Sequence, residues 1–355
     1  MFREVMQKLW NDKFARISLI VLEIIYFALF FADFIAPYTK DFSDRTMAYV
    51  PPSKIFVIDE NFHLSMPYTY NYIREFDNDN LRITYKLDRS QKHYIKLFGK
   101  GQPYKFLGLI PLKRHLITTD TNGRLFLLGA DINGRDVFSR ILFGGRISMT
   151  IGFLALFVLF PIGLLYGGIS GYFGGITDTI MMRFAEAVMS IPSFYLLIIL
   201  ASILPSGMTS AQRFMLIVII LALIGWAGFA RVVRGMVLSV KSQEFVQAAK
   251  SIGASRLRII VKHILPQTTS FVIVAMTLSV PSYILSESGL SFLGLGIQQP
   301  DASWGNMLKE AQEYTNIIYR PWLLTPGFLI FIAVLAFNVI GDTIRDVLDP
   351  KSRNS

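Results

Sequence analysis

The 355-residue chain contains no cysteine. Disulfides, thiolate metal sites and cysteine nucleophiles are therefore excluded together. Histidine is nearly as scarce. His63, His93, His115 and His263 are scattered, with no HExxH pair. No GxSxG elbow is present. Gly99-Lys100 lacks the upstream glycine and the following Ser or Thr of a phosphate-cradling loop. Charge is thin as well, with 17% Asp, Glu, Lys and Arg against 52% hydrophobic residues. That balance is too apolar for an ordinary soluble domain of this length.

What is present is a set of long apolar runs. Crossing a bilayer core takes about 20 apolar residues, and six such windows can be drawn, at residues 17–37, 146–169, 184–205, 213–230, 267–285 and 323–342. The first follows a basic amphipathic start, MFREVMQKLWNDKFAR, and no small-residue cleavage site follows it, so it reads as a span and not as a cleaved leader. Lys8, Lys13 and Arg16 keep the N-terminus cytoplasmic by the positive-inside rule. Six crossings return Arg345, Lys351 and Arg353 to the same side. Residues 231–266 also fall inside, carrying Arg231, Arg234, Lys241, Lys250, Arg256, Arg258 and Lys262 against one acid, Glu244. The net charge of +10 suits contact with anionic lipid better than nucleic acid. The spans are nearly free of ionisable residues. This argues against a self-contained ion-gradient carrier and against an intramembrane enzyme.

Residues 38–140 break the pattern. KIFVIDENFHL and LRITYKLDRSQKHYIKLF alternate apolar and polar residues, which argues for strands, with Asp59-Glu60-Asn61 as a hairpin turn. Phe56, Phe62, Tyr68, Tyr70, Tyr72, Tyr85, Tyr94 and Phe98 supply apolar surface for a small core. A β-containing unit outside the membrane is expected over about 45–118. Asp131-Ile132-Asn133-Gly134-Arg135-Asp136 lacks the spacing and distal Glu of a calcium loop. It reads as a turn into a capped helix at 136–143.

Gly163, Gly167, Gly171 and Gly175 recur every four residues and lay small side chains along one helix face. The face can serve packing within the chain or a seam to a second subunit. Glu186 reads as an acid at a helix N-terminus, favoured by the dipole, with a role in gating as the alternative that spacing does not show.

Four stretches then fall in order: LGADINGRDVFSRILFGGRIS at 128–148, EFVQAAKSIGASRLRIIVKHILP at 244–266, SESGLSFLGLGIQQPDASWGNML at 286–308, and FNVIGDTIRDVLDP at 337–350. Together they resemble the second membrane subunit of dipeptide and oligopeptide ABC importers. The resemblance covers most of 128–350 and the first helix. It implies an all-α membrane protein of six transmembrane helices in the type I ABC importer permease fold, with a β-containing extracytoplasmic insertion between helices 1 and 2. The expected organisation is 1–37 for the cytoplasmic N-terminus and first helix, and 38–140 for the insertion. The permease core follows at 141–345 with its cytoplasmic coupling loop at 231–266, and a tail at 346–355.

By that resemblance, Glu244, Ala248, Ala249, Gly253 and Pro266 form the ATPase-coupling loop. The small residues leave room for docking, and Pro266 ends the segment at the next span. Gln247 departs from the family, where Glu is common. The implied partners are a second, non-identical permease, two ATP-binding subunits, an extracytoplasmic substrate-binding protein and membrane lipid, in a prokaryotic cytoplasmic membrane with both termini inside. The chain itself holds no cofactor and no catalytic site; ATP and Mg belong to the partner ATPases. The cargo implied is a peptide, with oligosaccharides or another small solute as the alternative. Substrate-contacting residues are not assignable from one chain.

Overall fold

The computed structural model describes residues 2–58, 62–78, 82–120, 122–205 and 207–348. It divides into two compact units. One comprises residues 1–22, 149–290 and 331–355; the other comprises 23–148 and 291–330. The turn at Asp59-Glu60-Asn61 and the basic tail at Lys351 and Arg353 lie outside the described residues.

The chain opens with α1 (Phe2–Asn11) and α2 (Lys13–Phe30). Asp12 Oδ1 accepts a hydrogen bond from Ala15 N–H at 2.9 Å and so caps α2. A kink at Phe31 leads to α3 (Ala32–Ile35). The end of α2 is closed from another helix. Arg146 donates to the carbonyls of Leu29 at 2.6 Å and Phe30 at 2.9 Å, and pairs with Asp33 at 2.7 Å. A guanidinium there satisfies carbonyls that the helix cannot, and meets the negative end of its dipole.

The next segment is β-rich, as the alternation implies. β1 (Phe56–Ile58), β2 (Leu64–Asp77) and β3 (Arg82–Tyr94) form an antiparallel three-stranded sheet in the order β1-β2-β3. The β2–β3 register runs from Tyr68 opposite Tyr94 to Asp77 opposite Arg82. β4 (Lys96–Leu97) pairs with β7 (Ile117–Thr118), while β5 (Lys100–Phe106) and β6 (Ile110–Arg114) form a separate hairpin. The aromatic core forms only in part. Tyr68, Tyr70 and Tyr72 are buried, and Tyr72 packs with Val50, Phe126 and Ala130. Phe62, at 93% exposure, and Phe98 stand outside it. The reason lies in the backbone: both hold positive φ at strand ends, so neither side chain follows the pleat into the sheet face.

Asp131 closes the next turn with its own side chain, accepting from the N–H groups of Asn133 and Arg135. Its other oxygen receives Arg135 Nε at 2.6 Å. Asp136 Oδ2 accepts from Ser139 N–H at 2.7 Å and caps α4 (Val137–Phe173), the capped helix that the sequence implied. Burial pushes the Asp136 carboxyl up to about 7. In the same unit, α11 (Trp304–Leu308) starts on a reciprocal Ser303–Asn306 capping box. Trp304 is fully buried and donates its indole N–H to Ile141 O at 3.0 Å.

After α4 come α5 (Gly175–Met189), α6 (Ser193–Ser202), α7 (Ser210–Val240), α8 (Glu244–Ser251), α9 (Arg256–Ile259) and α10 (Thr269–Phe292). α11, α12 (Tyr314–Tyr319) and α13 (Thr325–Leu348) complete the chain. Among the described residues, four continuous helical segments are long and apolar enough to cross a membrane: 137–173, 210–240, 256–292 and 321–348. α2, at the expected first span, is not one of them, because Lys13, Arg16 and Glu23 interrupt its apolar run. The expected span at 184–205 is broken. α5 and α6 meet at 76°, as a broken span or a re-entrant loop. The break falls at Pro192, which lacks an N–H and disfavours helical geometry in the residue before it. Glu186 consequently lies in the last turn of α5, not at a helix start, and its partners are Arg183 at 3.2 Å and Arg231 at 3.9 Å. The α5 dipole therefore does not favour Glu186, which sits near its negative end. The helices also run past the expected apolar windows at most ends.

The glycine stripe is filled from within the chain. A Cβ at Gly163 would meet Phe229 at 2.5 Å, at Gly167 the Ala230 carbonyl at 2.4 Å, and at Gly171 Val237 at 2.8 Å. These positions let α7 approach the α4 backbone. The face is thus closed to a second subunit, and Gly175 lies past the α4 end with open space around it. We expect Gly167→Leu to destabilise the chain by about 1–3 kcal/mol through overpacking. Gly235→Ala, with no atom near its added Cβ, serves as the tolerated control. Thermal melts of the detergent-purified protein check this. Equal Tm values for the two variants would refute the seam.

Candidate functional site

The segment between α7 and α10 is built on two faces. On the inner face, Val246 and Ala249 of α8 and Ile259 and Ile264 beyond it are buried against Val233 and Val237 of α7. On the outer face, Phe245, Ala248 and Ile252 follow an i, i+3, i+7 spacing, and all are exposed, Ile252 at 84%. Leu257, at 60%, extends this apolar surface past the turn.

Gly253 makes that turn possible. Its φ of +77° is the left-handed conformation that favours glycine. Gly253 N–H bonds to Lys250 O at 3.0 Å and Ala254 N–H to Ala249 O at 3.1 Å. This pair of bonds is a Schellman motif, which satisfies the last carbonyls of α8. No atom lies within 4 Å of where a Cβ would stand, so the turn presents its bare face outward.

The five expected loop residues therefore separate. Glu244, Ala248 and Gly253 are exposed. Ala249 is 4% exposed and faces the α7 side, so it belongs to the support and not to the outer surface. Two adjacent alanines necessarily point about 100° apart on a helix, and the sequence alone does not say which points out. Pro266 does not end the segment. Helical backbone runs through 256–292 by way of a π turn at Ile260–Ile264 and a 3-10 turn at Leu265–Thr268. The wider and tighter turns re-space the carbonyls around a residue with no N–H, so the helix absorbs the proline. Gln247 donates its side-chain amide to Lys241 O at 3.3 Å. A Glu could not make that bond, which gives the departure at this position a local reason.

Several of the basic residues are tethers. Lys241 Nζ donates to Gly171 O at 3.1 Å, near the end of α4. Lys250 stands 5.5 Å from the centre of the Tyr172 ring, and Arg256 lies 5.5 Å from that of Phe173. Arg234 reaches Asp178 with two nitrogens, its Nε at 2.6 Å from Oδ1. Ser170 Oγ donates to the same oxygen at 2.5 Å. Arg258 and Lys262 remain exposed. The sequence counted these charges as a topology signal; three-dimensional placement makes four of them the bolts that hold the loop to α4 and α5. Phe245, Ile252 and Leu257 went unnoticed in the sequence, although their spacing with Ala248 was visible.

The surface so formed is apolar at its centre, basic at one end and rigidly backed. It can bind a complementary groove. Among the described residues no set of three or more His, Asp or Glu side chains is arranged to hold a metal.

Residues 141–354 match the family model described as binding-protein-dependent transport system inner membrane component, and residues 1–52 match the N-terminal TM domain of oligopeptide transport permease C. Over 227 residues the chain is 45% identical to the dipeptide transport system permease protein DppC of Bacillus subtilis, covering 63% of this chain and 68% of that one. It is 45% identical over 226 residues to the oligopeptide transport system permease protein OppC of Haemophilus influenzae, covering 63% and 70%. It is 43% identical over 226 residues to OppC of Bacillus subtilis, covering 63% and 72%. The family match, which spans more than half of the chain and takes in the whole 244–266 loop, makes this chain a member of the binding-protein-dependent transport system inner membrane components.

Proposed function

We propose that this chain is one of two unlike permease subunits of a peptide importer driven by separate ATPases. The single observation that carries the reading is the outward stripe Phe245–Ala248–Ile252 with Gly253, mounted on a rigid support inside the family-matched region. Relatives named for dipeptide and oligopeptide transport support the peptide class. In this reading six spans cross a prokaryotic cytoplasmic membrane. α2 is the first, α5–α6 together supply the third, and both termini and the 231–266 loop lie inside. The strands at 56–118 lie outside, where a substrate-binding protein delivers cargo. The chain is non-catalytic, and ATP and Mg are handled by the partners.

The mechanism follows from how the loop is held. α8 packs on α7, α7 is locked to α4 over three glycines, and Lys241, Lys250 and Arg256 bind the loop to the inner end of α4. Packed interfaces of this kind switch between discrete arrangements and do not deform smoothly. When two ATPases close on ATP, their pull on α8 is therefore delivered to α4, α7 and α10 as a body. Hydrolysis releases the pull, and the permease returns. Nucleotide and substrate each favour a different state of one equilibrium.

Gly253→Arg puts a long cation on the bare face and strains the left-handed turn. Gly253→Asn keeps a side chain that tolerates positive φ. We expect the arginine variant to insert normally and to lower peptide uptake about tenfold, a coupling loss of about 1.4 kcal/mol, while the asparagine variant retains most uptake. Unchanged uptake in Gly253→Arg would overturn the docking assignment.

Thiol labelling gives a second test, because the chain has no cysteine of its own. In the isolated chain Ala248→Cys should label readily and Ala249→Cys slowly. Addition of the partner ATPases should shield Ala248→Cys. In sealed cells an impermeant reagent should reach Ser90→Cys and not Ser255→Cys. The opposite pattern would reverse the topology.

A further inference from the structure

The β5–β6 hairpin carries an apolar tip where a solvent-facing turn would be polar. Its sequence is Phe106-Leu107-Gly108-Leu109-Ile110-Pro111-Leu112. Leu109 N–H bonds to Phe106 O at 3.0 Å to close the turn, and Leu107 and Gly108 both hold positive φ, +49° and +76°. Asn and Gly are the residues that such a turn favours. A leucine held there is strained, and its side chain stands 45% exposed, so packing within the chain does not explain the choice. Leu109 is 80% and Ile110 56% exposed.

The direction of the hairpin is fixed by its contacts with α3 and the end of α2. Its base lies beside the later residues: His115 Nδ1 is 2.6 Å from Ala36 O, and Leu116 N–H donates to Phe34 O at 2.7 Å. Its tip lies beside the earlier ones. The Phe106 ring sits 5.8 Å from both Phe30 and Phe31, and Leu107 N–H donates to Asp33 at 3.2 Å. Chain direction along α2 runs toward Phe30, where the helix ends. The hairpin therefore points back from the level of Ala36 to the level of Phe30. The helix surface it reaches is apolar and uncovered, with Phe27 62% and Phe30 52% exposed.

Beside the tip is an open cleft of about 720 Å³. Lys40, Lys105, Lys113 and Arg146 line it, with Asp33 and Asp41. Arg146 is committed to Asp33 and the helix-end carbonyls, while Lys105 and Lys113 are exposed on the two strands of the hairpin. An apolar tip with lysines set behind it matches the layering of a membrane surface, acyl chains below and phosphates above.

We infer that the β5–β6 hairpin is a membrane anchor: Leu107, Leu109 and Ile110 enter the outer leaflet beside the end of α2, and Lys105 and Lys113 hold the phosphate of an anionic lipid headgroup. This rests on α2 being a membrane span, as proposed above. The anchor fixes the height of the strands over the bilayer. It also removes from water an apolar patch that a soluble surface would not leave open.

The test uses three single-cysteine variants of the full chain, Leu109→Cys, Phe62→Cys and Ile24→Cys. Each carries an environment-sensitive fluorophore and is reconstituted with its partners into nanodiscs with or without spin-labelled lipid. The Leu109 probe should be quenched at least about twofold by shallow spin labels, the Ile24 probe by deep ones, and the Phe62 probe by neither. Quenching at Ile24 with none at Leu109 refutes the anchor and leaves the span assignment standing. Absence of quenching at both sites refutes the span assignment, and the anchor with it. Leu109 quenching should also be stronger in phosphatidylglycerol than in phosphatidylcholine nanodiscs, and Lys105→Gln/Lys113→Gln should erase that difference. Equal quenching of the unmodified pair in both lipids overturns the headgroup assignment.

Discussion

The close approach of α4 and α7 is the constraint on which the loop depends. Lipid tails are as apolar as leucine, so helices in a bilayer gain little from burying apolar surface against each other. Contact has to come from backbone proximity and from polar pairs. Gly163, Gly167 and Gly171 provide the first, each facing an α7 backbone or side-chain atom that a Cβ would strike. Arg234 and Asp178 provide the second at the same end of the bundle, with Ser170 bound to the same carboxylate. A charge pair of this kind is costly to bury unless its remaining valences are filled. Here the Ser170 hydroxyl from α4 fills one of them, and with Arg234 on α7 and Asp178 on α5 the pair ties three helices in one place.

The loop inherits its rigidity from that arrangement. α8 is only eight residues long, too short to be stable as an isolated helix. It exists because Val246 and Ala249 find Val233 and Val237 already in position, and because the Schellman turn at Gly253 satisfies its last carbonyls. An element stabilised wholly by its support moves with that support. The outward stripe is then free to be chosen for a partner, since none of Phe245, Ala248 and Ile252 is needed for the inner packing.

Much of this was legible in the residues. The long apolar helices follow from runs that no other solvent accommodates. β1 and β3 follow from the alternation in 54–64 and 81–98, whereas most of β2 and all of β5 and β6 lie outside those stretches. The turn and cap at 131–139 follow from Asp side chains placed one turn before a helical run. Other features depended on information that a linear pattern does not carry. The glycine stripe predicted a close helix neighbour without naming it, since both α7 and a second subunit would use the same small residues. Ala248 and Ala249 are chemically identical, and only the position of α7 distinguishes them. The 76° break before α6 had a signal in Pro192, but the apolar run continues across it and masks the change of direction. Pro266 misled in the opposite sense, because a π turn before it and the 3-10 turn that holds it carry the helix through.

The β-rich segment has less internal apolar burial than its aromatic count suggests, and this bears on what it is for. Strands β5 and β6 leave most of their residues exposed, and β1 is short, so the core around Tyr68, Tyr70 and Tyr72 stabilises only part of the segment. The family matches to 1–52 and 141–354 leave the strands between them unmatched. A segment with a small core and a large apolar exterior gains stability from surroundings that cover that exterior. On the proposed reading of α2 as the first span, the hairpin tip beside Phe30 and Phe31 is where such cover is nearest. The same strained leucine that weakens the hairpin in water would strengthen its hold in lipid, and this makes the anchor the simplest account of why an Asn-Gly turn is absent there.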